Sequence, residues 1–172
     1  MEVLLFYIAA AVSIIATTLV ITRLNASHAL VFLIVSLLSI AVVFFLLGAP
    51  FAAALEIVIY AGAIMVLFVF VVMMLNLGPA TVEHERTWLK PGMWVGPGIL
   101  TFILFLEMVY LLVTADGLTA GEAVSPKAVG MELFGPYLLA VELASMLLLA
   151  ALVGAYHLGR RYMRARREEE QA

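Results

Sequence analysis

No cysteine occurs among the 172 residues, which removes disulfides, thiolate metal sites, cysteine-held iron–sulfur clusters and thiol nucleophiles from consideration. Histidine is scarce. His28, His84 and His157 fall in three different segments, so haem, zinc and copper sites have no basis within this chain. Charge is low as well, 12% of residues, against about 25% in soluble domains. No internal repeat is visible, direct or inverted, which argues against the design of many secondary transporters. Nor is there a nucleophile–base pair, a glycine-rich phosphate loop or a metal-ligand spacing. Covalent catalysis by this chain alone is not expected.

What fills the chain instead is hydrocarbon. Hydrophobic residues make up 66% of it, and the mean hydropathy is +1.17. Five apolar runs approach or exceed the ~20 residues that cross a bilayer as a helix. The expected fold class is an all-α integral membrane protein, a single membrane domain over 1–172. Its five transmembrane helices are expected near 3–21, 27–47, 52–77, 93–114 and 134–158, with a cytoplasmic tail at 159–172. The first run lacks the positive flank of a signal peptide, carries Glu2 instead, and is too long, so it reads as a retained helix. Gly48-Ala49-Pro50 predicts a tight turn, and Gly78-Pro79 a helix stop. Trp88 and Trp94 read as interfacial anchors around a loop holding Glu83, Glu85, Arg86 and Lys90. Gly96-Pro97-Gly98 predicts an irregular first turn for the fourth helix, and the stretch 115–133 reads as a polar loop. The charged tail is expected to prolong the last helix.

Five spans put the termini on opposite sides. Arg23, Arg86, Lys90, Arg160, Arg161, Arg164, Arg166 and Arg167 then share one side, and only Lys127 lies on the other. The positive-inside rule sets the N-terminus outside and the C-terminus in the cytoplasm.

The polar residues inside the spans carry the functional signal. Ala9, Ser13 and Thr17 recur every four residues on the first helix, a stripe suited to close helix contact. Ser36 and Ser39 are the mid-span polar residues of the second. Three carboxylates, Glu56, Glu107 and Glu142, fall within spans that contain no lysine or arginine. Each costs roughly 2.5–3.5 kcal/mol at the bilayer centre and needs a partner, a proton or water. Glu56 sits one turn before Tyr60, and Ala63, Leu67, Phe70 and Met74 continue that α-helical face. It reads either as a carboxylate reaching the outer interface or as part of a proton path. Glu107 is nearest a span midpoint, with Tyr110 and Thr114 on its face, and is an additional buried acid of open role. Glu142 stands apart from a seam of Ala140, Ala144, Ala151 and Ala155, so it is expected to face something polar elsewhere. His28 reads as a helix-start residue, His157 as interfacial, and the methionines as packing. The arginines of the tail are offset by Glu168, Glu169 and Glu170, so nucleic acid is not an expected partner.

The run from Glu56-Ile57-Val58-Ile59-Tyr60-Ala61-Gly62-Ala63-Ile64-Met65 to Met73-Met74-Leu75-Asn76 resembles the signature third helix of a known family. That family is the membrane subunit called J in bacteria, and subunit 6 in mitochondria, of proton-pumping NADH:quinone oxidoreductase, respiratory complex I. Glu142-Leu143-Ala144-Ser145 and the run from Leu147 to Ala155 are similar to its fifth helix. The resemblance implies a non-catalytic subunit of a translocase in the bacterial cytoplasmic membrane. Its partners would be the quinone-site subunit, the antiporter-like neighbours and the lipid bilayer. NADH, FMN, iron–sulfur clusters and quinone would be handled by other chains, with no cofactor here. It also implies a third helix that can hold a π-bulge over Tyr60, Ala61, Gly62, Ala63, Ile64 and Met65, whose change to a regular α-helix gates protons and water. Glu56 and Glu142 would join that path. The alternatives are a small autonomous proton or cation transporter or channel, and a pure scaffold subunit of a related hydrogenase or antiporter complex.

Overall fold

Each of the five apolar runs is helical, and no strand occurs among the described residues. The computed structural model describes residues 2–23, 26–75, 91–114 and 123–169. The elements are α1 (Glu2–Thr22), α2 (Ala26–Leu46), α3 (Pro50–Leu55), a π-helical segment (Glu56–Ile64), α4 (Met65–Leu75), α5 (Pro91–Thr114), α6 (Pro126–Leu133) and α7 (Leu138–Glu169). Helices α3 and α4 and the π segment between them form one continuous third span, Pro50–Met74. The chain is a multi-pass, all-helical membrane protein. Its described residues fall into two compact units, one ending at Ser125 and one beginning at Pro126.

In the first unit α1 and α2 pack side by side. The buried face of α1 is Ala9, Val12 and Ala16, against Phe32, Val35 and Val42 of α2 and Leu100, Leu104 and Leu111 of α5. The expected stripe is therefore turned by about one residue. Ala9 is buried, Ser13 is half-buried, and Ala16 takes the place assigned to Thr17. Thr17 sits at the seam's edge, where its hydroxyl shares a 2.7 Å hydrogen bond with Ser36. Thr18 and Thr22 donate their hydroxyls to Ile14 O and Thr18 O one turn back, so exposed threonines on α1 leave no unsatisfied donor to lipid.

Gly48, at φ +80°, supplies the left-handed residue that ends α2. Its carbonyl accepts the Val124 N–H, and Pro50 occupies the first turn of α3, where no N–H is needed. His28 is buried among rings, 6.3 Å from both Phe32 and Trp94, and the Arg23 guanidinium lies 5.4 Å from the centre of the Phe32 ring.

Helix α5 differs from expectation at its start. It begins at Pro91 and runs helically through Gly96-Pro97-Gly98. The glycine serves packing instead. A Cβ on Gly96 would come within 3.3 Å of Phe32 Cζ, so the missing side chain lets α5 close on α2.

In the second unit the expected polar loop contains a short helix, α6, which opens on Pro126. A turn over 134–137 then starts α7 at Leu138, four residues later than the expected span. Helix α7 carries the charged tail as far as Glu169, as expected. Its apolar stretch has no buried side chain among those described. The loop acids and cations at 80–90, with Trp88 and His84, lie outside the described residues.

Candidate functional site: a π-helical segment in the third span

The third span changes its hydrogen bonding twice. At Glu56 the N–H still reaches Ala52 O, four residues back, the α pattern. At Met65 the N–H is shared between Gly62 O, three residues back, and Tyr60 O, five residues back, the second being the π pattern. Between them Glu56–Ile64 is π-helical, and from Met65 the span is α-helical again. The expected site residues Glu56, Tyr60, Ala61, Gly62, Ala63 and Ile64 thus all fall in the π segment. It begins a turn before the expected Tyr60 start, and Met65 caps it from the α side. Segments of this kind favour functional positions.

Gly62 explains why this sequence tolerates the wide turn. A Cβ there would stand 3.1 Å from Ile57 O, the carbonyl five residues earlier. The π turn aims that oxygen at the position where every other residue has a carbon. The missing methyl group gives the wide turn its clearance.

The wide turn also breaks the expected face. One extra residue rotates the downstream half of the span by about 100° relative to an α-helix of 3.6 residues per turn. Glu56 and Tyr60 therefore do not continue in register onto Leu67, Phe70 and Met74. Around the segment, Tyr60 is 50% exposed, Glu56 half-buried and Met65 only 2% exposed. Ala53 and Met65 are the buried residues of the third span, one on each side of the π segment. They pin its two ends while the middle has no buried side chain.

An apolar cavity of about 150 Å³ lies beside the start of the segment, lined by Ala41, Val42 and Phe45 of α2, Ala53 and Ile57 of the third span, and Met108, Leu111 and Leu112 of α5. Tight interiors resist rearrangement. Here Ile57, whose carbonyl faces Gly62, has open space beside it.

The other two acids stand apart from the segment. Glu107 is buried on α5 with Leu104 and Leu111, whereas Tyr110, one turn further along, is more than a third exposed and makes no hydrogen bond to it. Glu142 is exposed on α7 in the second unit, beside exposed Leu138, Leu139, Leu143 and Met146. No three His, Asp or Glu of the described residues are grouped as a metal site would require. Sequence reasoning missed two features. The Ile57–Gly62 approach is signalled by nothing except a glycine five residues after a π turn begins. The Thr17–Ser36 bond was readable only as hydroxyls on neighbouring spans.

Five spans, with a π segment in the third, define a small multi-pass helical membrane protein. The chain belongs to the family described as NADH-ubiquinone/plastoquinone oxidoreductase chain 6, whose pattern it matches over residues 16–158. It is 65% identical over 157 residues to the NADH-quinone oxidoreductase subunit J of Pseudomonas aeruginosa, covering 90% of this chain and 95% of that protein. It is 62% identical over 156 residues to the protein of the same description in Escherichia coli K12, covering 90% and 85%. It is 52% identical to that of Buchnera aphidicola subsp. Schizaphis graminum, covering 90% and 96%. As a membrane subunit of complex I, the chain has the other subunits of that oxidoreductase as partners.

Proposed function

We propose that the chain couples quinone reduction to proton translocation, with the π segment at Glu56–Ile64 as the gate. The observation that carries this reading is the backbone itself: the Met65 N–H bonds to Tyr60 O, with Gly62 leaving room for Ile57 O. Returning the segment to α geometry moves one residue through the helix. It turns Tyr60 against α4 by about 100° and changes which side chains line the adjoining space. The cavity beside Ile57 supplies room for that turn.

In this reading the chain performs no covalent chemistry. NADH, flavin, iron–sulfur clusters and quinone belong to other subunits. The chain lies in the bacterial cytoplasmic membrane between the quinone-site subunit and the antiporter-like subunits, N-terminus outside. Tyr60 and Glu56 border the proton path. Glu142, a carboxylate on an exposed apolar helix, takes a donor from a neighbouring subunit, because a lone acid facing lipid is strongly disfavoured.

The test is Gly62→Val in the intact complex. NADH-driven proton uptake is expected to fall at least several-fold, while electron transfer from NADH to an artificial acceptor persists. Unchanged pumping would remove the gate from this position. Glu56→Gln and Glu142→Gln separate the gating reading from a scaffold. Normal assembly and pumping in both would mean that their charges serve contacts alone.

A further inference from the structure

Glu107 is 5% exposed, and neither of its carboxylate oxygens touches solvent or reaches a hydrogen-bond partner. It lies on the face of α5 that carries Leu100, Leu104 and Leu111 into the core shared with α1 and α2. Buried polar groups without partners are rare, and a lone ionised carboxylate in such a place is strongly disfavoured. Its neighbours offer no counter-charge. Among described side chains, α1 brings Tyr7, which is 65% exposed, and α2 brings His28, held at its far end against Trp94. Glu56 and Tyr60 of the third span and Tyr110 of α5 make no hydrogen bond to it. No lysine or arginine lies on α1, α2 or the third span.

Hydroxyls do lie nearby. Ser39 is fully buried on the stripe of α2 that carries Phe32, Val35 and Val42 into the same core. The register that sets Gly96 against Phe32 brings Glu107 level with Val43, about one turn (~5.4 Å) beyond Ser39. Ser39 donates to Ser36 O at 2.7 Å, which leaves its own oxygen free to accept. Ser36 Oγ shares its 2.7 Å bond with Thr17 Oγ1, and Thr17 is exposed. Two hydrogen bonds, Ser39 Oγ to the Ser36 carbonyl and Ser36 Oγ to Thr17 Oγ1, thus step from near the level of the acid to the edge of α1.

We propose that Glu107 is a proton-binding site in its own right, set in the α1–α2–α5 core and separate from the third-span gate. Ser39, Ser36 and Thr17 are the polar groups through which its proton exchanges. On release the carboxyl O–H bond breaks and the proton passes through one bridging water to the Ser39 oxygen; Ser39 turns its own proton from Ser36 O to Ser36 Oγ, Ser36 passes its proton to Thr17, and Thr17 releases one at the edge of α1. A carboxylate is left behind, and rebinding reverses each step.

The test is infrared difference spectroscopy on the intact complex, driven by a change in pH, for the wild type, Glu107→Gln, Glu107→Asp and Ser39→Ala. One carbonyl stretch of a protonated carboxyl is expected in the wild type. It should vanish in Glu107→Gln and shift in Glu107→Asp. Its hydrogen–deuterium exchange should slow several-fold in Ser39→Ala. Superimposable wild-type and Glu107→Gln spectra overturn the site, and unaltered exchange in Ser39→Ala overturns the path. If Glu107→Gln fails to assemble, Glu107→Asp decides, since it keeps the acid. Gly62→Val is read in pumping and leaves this band in place, so the two proposals fail separately.

Discussion

A single missing methyl group at Gly62 separates two backbone geometries. Within an α-helix alanine is favoured over glycine by roughly 0.5–1 kcal/mol. In the π turn the added Cβ meets Ile57 O at 3.1 Å. Both effects of Gly62→Ala push toward the α form, so the π form should lose at least several-fold in population, a factor of ten being ~1.4 kcal/mol. Cryo-electron microscopy of the variant complex should show Met65 N–H moved from Tyr60 O to Ala61 O. A retained π segment would mean that contacts outside this chain hold it. Ser36→Ala makes a second residue-scale case. It removes the part-buried Thr17–Ser36 hydrogen bond and should cost about 1 kcal/mol. Thermal unfolding of the purified complex should show a small drop in this subunit's transition.

Helix α5 packs on α2 along Leu100, Leu104 and Leu111, and at Gly96 the two helices close most tightly on Phe32. Gly96→Leu would drive a branched side chain into Phe32, which is fully buried. Overpacking of this kind costs typically 1–3 kcal/mol, and here it would separate two helices along the core. Loss of the subunit from the assembled complex on native gels is the expected result, with Gly96→Ala milder. The same element shows where sequence reading stops. Length and hydropathy were enough to locate five helices, because crossing hydrocarbon demands long apolar runs. They misjudged the start of α5, because Gly-Pro-Gly carries a turn signal that tertiary packing overrides. The Pro126–Leu133 helix was hidden for the opposite reason, since eight residues within a polar stretch carry too little periodicity. The π segment was expected from resemblance, but its Glu56 start depends on which carbonyl each N–H selects, and side-chain pattern does not record that. Glu107 was visible as a mid-span acid, yet its place among Leu104 and Leu111 required the rotation of α5 to be known.

At the scale of the whole molecule, the absence of cysteine turns orientation into a clean measurement. On the five-span reading of the sequence, eight of nine lysines and arginines share one side, a bias that predicts the C-terminus in the cytoplasm. Lys127, in α6, and Gly159, near the end of the last span, are exposed and belong to opposite sides of that arrangement. A cysteine at either position would be the only thiol in this chain. A membrane-impermeant maleimide added to intact cells should label Lys127→Cys and spare Gly159→Cys. Inverted membrane vesicles should reverse the pattern. The consequence reaches back to the gate, because the third span takes its direction from the same count. With the N-terminus outside, Glu56 lies toward the outer end of the π segment and Met65 toward the cytoplasm. A proton passing the segment inward to outward would then meet Met65, the buried end, before it meets Tyr60 and Glu56. The reversed labelling pattern would invert that order, and the residue to substitute first in search of the entry side would change from Met65 to Glu56.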